Sequence, residues 1–114
     1  MKIYISGPKE IGWGAKKTKE CVERFKKTKE CVERFKKIEA ELNRQGCQTV
    51  NPVEIAMKLP DLESEEYMRV CIALMSVCDA AFFLEGWEAS KECEIEFEYA
   101  YEHKMTIGFE RGKE

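Results

Sequence analysis

The chain alternates between short runs rich in β-formers and longer stretches patterned for helix. Residues 2–6 (KIYIS) end at Gly7-Pro8 and predict a first strand running into a loop. From Ala15 to Arg44 there is neither Gly nor Pro, and Cys31, Phe35, Ile38 and Leu42 form one apolar stripe, so a long helix is expected, stopped by Gly46. Cys47 to Val50 reads as a second strand closed by Asn51-Pro52, with a short helix from Val53 to Lys58 and a loop over Leu59 to Glu63. Ser64 is the expected cap of a helix with Glu65 and Glu66 in its first turn and Met68, Cys71, Ile72 and Met75 along it. The continuous apolar run Ala80 to Leu84 has the pattern of a buried parallel strand. Gly86-Trp87 breaks it, a helix is expected from about Ser90 to His103, and Met105 to Phe109 reads as the last strand. Strands alternating with helices predict an α/β protein with a four- or five-stranded parallel sheet. The Lys2–Ser6 strand should be central, between Cys47–Val50 and Ala80–Leu84, with Gly7 and Gly86 meeting at the switch point.

One decamer breaks this regularity. Residues 18–27 (TKECVERFKK) recur unchanged at 28–37. A single identical tandem copy implies a recent in-frame duplication, whereas a solenoid requires three or more units. Ten residues turn through roughly 1000°, so the second copy is rotated by about 80° from the first and the two cannot share one stripe. A 30-residue helix is about 45 Å long, against roughly 17 Å for a five-residue strand. Some of the helix must therefore overhang, kink or loop out. The expectation is a tolerated insertion at the helix start, with the second copy facing the core and Phe25 facing solvent, the preceding loop or a partner. A new partner surface is the alternative.

Composition narrows the class. A length of 114 residues suits one domain, and 44% hydrophobic residues are enough to build a core without staples. A net charge of −3 excludes a strongly basic nucleic-acid footprint over the whole domain. No apolar run approaches the roughly 18 residues of a membrane helix, and the first residues lack a signal-peptide layout. These features predict a soluble, cytoplasmic, single-domain protein. Six cysteines raise the question of zinc or disulfides, but no pair has the spacing of a zinc knuckle and His103 is the sole histidine. Free thiols packed as small hydrophobes are expected, with no metal and no cofactor.

Candidate chemistry gathers at two strand-to-loop junctions, since open α/β sheets bind ligands beyond the carboxyl ends of their strands. One is Tyr4-Ile5-Ser6-Gly7-Pro8; the other runs from Leu84 through Gly86 and Trp87 to Ser90. Ser90 would cap the last helix, whose free N–H groups suit an anion. That helix carries glutamates at 92, 94, 96, 98 and 102. Most read as a solvated face. Glu96 differs, because Cys93, Tyr99 and Ala100 at i−3, i+3 and i+4 set it on the border of the packed face. A carboxylate at the edge of an apolar cleft is a candidate nucleophile or general base.

The segments KIYISGP (2–8), RFKKIEAELNRQGCQTVNPVEI (34–55) and EEYMRVCIALMSVCDAAFFLEGWEASKECEIEFEYA (65–100) together resemble the nucleoside 2-deoxyribosyltransferase-like superfamily, in particular its small branch of uncharacterised function. The resemblance covers nearly the whole chain except residues 9–14 and one decamer copy. It implies a flavodoxin-like or Rossmann-like fold. It also implies cleavage or transfer of the N-glycosidic bond of a deoxynucleoside or its 5′-monophosphate, with a helix glutamate attacking the anomeric carbon. Glu96 would be that nucleophile and Ser90, six residues earlier, the phosphate contact. Tyr4 would lie near the sugar, with Gly7 and Pro8 beneath it; Ser6, Gly86 and Trp87 complete the expected substrate-binding set. A homodimer or larger assembly is implied, with no nucleic-acid polymer and no membrane as partner. Two positions depart from the family pattern: Cys71 stands where an aspartate is expected, and Glu92 where a glycine is expected. They make a non-catalytic binder of a nucleotide or nucleotide-derived signal the alternative reading. An oligomeric scaffold built on the lengthened helix is a third.

Overall fold

The computed structural model describes residues 1–8, 19–59 and 63–111, with residues 19–28 and Ser64 through their backbone alone. Its elements run β1 (Lys2–Ser6), α1 (Lys19–Arg44), β2 (Gln48–Val50), α2 (Pro52–Ala56), α3 (Ser64–Ser76), β3 (Ala80–Phe83), a 3₁₀ turn (Trp87–Ala89), α4 (Lys91–Glu102) and β4 (Thr106–Phe109). The four strands form one sheet in the order β2-β1-β3-β4, and each pairing is parallel. This is the doubly wound arrangement of flavodoxin-like and Rossmann-like folds. Among the described residues the sheet has four strands, with β1 and β3 as the central pair.

Strand alternation divides the core into two layers. Ile3, Ile5, Ala80 and Leu84 pack against Cys31, Phe35 and Leu42 of α1. Tyr4, Ala81 and Phe83 on the opposite face pack against Tyr67, Cys71 and Met75 of α3 and Ala100 of α4. The second decamer copy thus begins the core-facing stripe with buried Cys31 and Phe35, and the residues after it continue the stripe with half-buried Ile38 and buried Leu42. The side chains of Val22 and Phe25, in the first copy, lie outside the described residues.

The duplication is accommodated by overhang. The helical backbone is continuous from Lys19 to Arg44. Cys31 Sγ approaches the Pro8 carbonyl just past β1 (3.5 Å), and the Cys47 N–H donates to the Leu42 carbonyl just before β2. The helix therefore runs back along the sheet from its carboxyl edge. The twelve residues Lys19–Glu30 extend about 18 Å from Cys31, beyond that edge.

Local signals set the other boundaries. Asn51 caps α2 through Oδ1, which accepts from the Val53 and Glu54 N–H groups. The expected cap of α3, Ser64, is instead its first helical residue. Glu63 is the cap, and Glu66 reaches back to accept from the Glu63 N–H (3.1 Å). Ser90 caps α4 as expected. The cysteines at 31, 47, 71, 78 and 93 are free thiols, and no metal-binding cluster occurs among the described residues. No described helix is long and apolar enough to cross a membrane.

Candidate functional site

The order β2-β1-β3-β4 reverses direction between β1 and β3, so the crevice beyond those strands is the place to look for a site. The backbone there is tightly fixed. The Leu84 N–H donates to the Ser6 carbonyl (2.8 Å), carrying the pairing one residue past β3. A Cβ on Gly7 would sit 2.8 Å from Leu84 Cδ1 and 3.0 Å from its Cβ and Cγ, so any larger residue there would force the Leu84 side chain to shift. Gly86 has φ +89°, a left-handed conformation that favours glycine, and lies beside Pro8. Gly7, Pro8 and Gly86 are thus brought together as the sequence suggests.

Behind this rim lies a polar cluster sealed in the second core layer. Tyr4 at the middle of β1, Cys71 on α3 and Glu96 on α4 have 0% of their surface exposed, and Tyr67 on α3 is buried with them. Burial pushes the Tyr4 phenol well above its ordinary pKa. The charge of Glu96, then Cys71, and hydrogen bonds to both act the same way. The Tyr67 phenol is also raised, first by burial and then by its charge and hydrogen-bond coupling to Cys71 and by Glu96. Both phenols therefore stay protonated near neutral pH and are available as donors beside a carboxyl group. Glu96 reaches this position because α4 turns the face carrying Cys93, Glu96 and Ala100 toward the sheet.

The start of α4 looks different from its sequence expectation. Ser90 Oγ accepts from the Cys93 N–H (3.4 Å), and its hydroxyl donates to Glu92 Oε2 (3.2 Å). An acidic side chain of the chain itself thus occupies the serine where an external anion was expected. Trp87 stacks on Phe97 (centroids 4.9 Å apart) and Phe109 (5.7 Å) and tilts against Phe83 (5.2 Å). These contacts set it in an aromatic cluster between α4 and the β3–β4 edge.

Two features went unpredicted. Tyr67, one turn before Cys71 on α3, joins the buried cluster; its i, i+4 spacing to Cys71 was the available signal. Arg34 forms a latch, donating to the Glu85 carbonyl (2.6 Å) and Glu110 Oε1 (2.9 Å), while the Glu85 N–H donates to the same carboxylate oxygen (2.9 Å). It ties α1 to the ends of β3 and β4. A separate hollow of about 250 Å³ between α1 and α2, lined by Val32, Lys36, Val53 and Met57 among others, shares no residue with the buried cluster.

Compared with known proteins, the chain matches a family described as a domain of unknown function (DUF4406) over residues 1–109. No curated protein and no solved structure matches it.

Proposed function

The chain belongs to that family of unknown function, and we propose from its resemblance and its buried carboxyl group that it cleaves or transfers the N-glycosidic bond of a deoxynucleoside, with Glu96 as nucleophile. The observation that carries the reading is the sealed contact of Glu96 with Tyr4 at the switch point. Burying a carboxyl group is costly, and apolar residues of similar volume would serve the fold as well or better. Its place in the core layer behind the β1–β3 switch point, where open α/β sheets bind ligands, supports a chemical purpose for that cost. In the proposed reaction a Glu96 carboxylate oxygen bonds to the anomeric carbon as the carbon–nitrogen bond breaks. The bonding electrons leave with the base, which takes up a proton. Water or a second base then displaces the sugar from Glu96. The Tyr4 phenol, held protonated, orients the carboxylate by donating to it.

Electrostatics at α4 favour an uncharged nucleoside over its 5′-monophosphate. A phosphate beside Ser90 would meet Glu92, already hydrogen-bonded there, with Glu94 in the same first turn. The alternative, binding without turnover, draws on Cys71: the group that α3 sets against Tyr4 and Glu96 is a thiol, a weaker hydrogen-bond acceptor than a carboxylate. The proposal includes a homodimer or larger assembly, to be checked by light scattering.

The test is release of free base from the four deoxynucleosides and their 5′-monophosphates. Wild type should release base faster from a nucleoside. Glu92→Gln should raise the monophosphate-to-nucleoside rate ratio, by about tenfold for one removed repulsion. Glu96→Gln should abolish release while retaining ligand-induced thermal stabilisation. Stabilisation of the wild type without any release would support the binding reading instead.

A further inference from the structure

Ser6 presents a hydroxyl that the described residues do not use. It is the last residue of β1, has 0% of its surface exposed, and its Oγ has no hydrogen-bond partner among the described residues. Alternation along β1 sets its side chain on the same sheet face as Tyr4, two residues nearer the carboxyl edge, opposite Phe83 in the register. A buried hydroxyl without a partner is a net loss to stability, and alanine would fill the same backbone position without it. The backbone around Ser6 is also unable to yield. Its carbonyl is held by the Leu84 N–H, and the next residue is the glycine packed against Leu84. The Ser6 backbone is thus held at a fixed point, two residues (about 6.6 Å) along the strand from Tyr4. That distance is comparable to the span of a furanose ring with its substituents.

We propose that Ser6 Oγ is a specificity-determining contact that hydrogen-bonds a hydroxyl on the far side of the ligand's sugar, at the 3′ or 5′ position, when the anomeric carbon faces Glu96. This rests on the reading of Glu96 given above. A serine hydroxyl both donates and accepts, so it suits a neutral hydroxyl better than a charged group. Its partner is missing until ligand arrives, so binding satisfies a group that folding leaves unsatisfied. The contact would reward a sugar with the right hydroxyl and penalise one lacking it.

The experiment pairs Ser6→Ala with deletion of single hydroxyls from the ligand. Thermal stability is measured first, without ligand. Ser6→Ala should melt no lower than wild type; a clear drop would show that the hydroxyl serves the fold and would overturn the proposal. Binding to wild type and variant is then measured calorimetrically for the four 2′-deoxynucleosides and for their 2′,3′-dideoxy and 2′,5′-dideoxy counterparts. Ser6→Ala should weaken the parent nucleoside about tenfold and leave one dideoxy series within about twofold of wild type, because that series already lacks the partner. Equal weakening of all three series, or of none, would overturn it, as would a failure of every deoxynucleoside to bind. If binding follows the expected pattern but Glu96→Gln still releases base, the Ser6 contact stands and the nucleophile assignment fails.

Discussion

At the scale of single residues, the sheet face carrying Tyr4 and Ser6 departs from what stability alone would select. Tyr4, Tyr67, Cys71 and Glu96 bring two phenols, a thiol and a carboxyl group into one buried layer. The phenols make this measurable. Both have folded-state pKa values above their ordinary value. Stability derived from them is therefore complete below about pH 10, the unfolded phenol value, and is lost as pH rises beyond it. A spectrophotometric titration should find Tyr4 and Tyr67 still protonated above the ordinary phenol range, ionising only with alkaline unfolding. Tyr4→Phe should flatten the fall in stability above about pH 10; an unchanged alkaline profile would place the Tyr4 phenol outside the cluster. That Glu96 leaves the solvated face was legible from Cys93, Tyr99 and Ala100 around it, but that pattern set it on the border of the packed face, and its complete burial was not legible. The engagement of Ser90 by Glu92 was not, since a capping serine and an acidic first turn look equally open to an external anion until rotamers are fixed.

Elements were legible where pattern and punctuation agreed. The strands at 2–6 and 80–83 and the helix from Lys91 to Glu102 lie close to their sequence bounds, because Gly7-Pro8, Gly86 and Ser90 terminate or cap them. The start of α3 was misplaced by one residue: Glu63 competes with Ser64 as cap, and Glu66 reaching back decides it. The decamer gives a direct test of tertiary context, since identical sequence occupies two helical positions. Phe35 is wholly buried against β1 and β3 side chains. Phe35→Ala should cost about 3–5 kcal/mol, and Phe25→Ala less than about 1 kcal/mol, in chemical denaturation. Deleting residues 18–27 should leave a cooperatively folding protein. Loss of folding on that deletion would show that both copies now belong to the core.

For the whole molecule, the parallel order with β1 and β3 central follows from alternation of strand and helix, and it fixes where a ligand crevice can form. The lengthened α1 projects past that same edge, and Arg34 secures it to the ends of β3 and β4. Chemistry is less legible than the fold, because the alternation of apolar and polar positions reports packing, and packing accepts Cys71 and Glu92 whatever they do. The central claim is a covalent intermediate on Glu96, and intact-protein mass spectrometry of rapidly quenched mixtures with a deoxynucleoside tests it most directly. A mass gain of one deoxyribosyl unit, mapped to the peptide carrying Glu96 and absent from Glu96→Gln, is the expected result. Base release without any such adduct, or with the adduct on another residue, would contradict it.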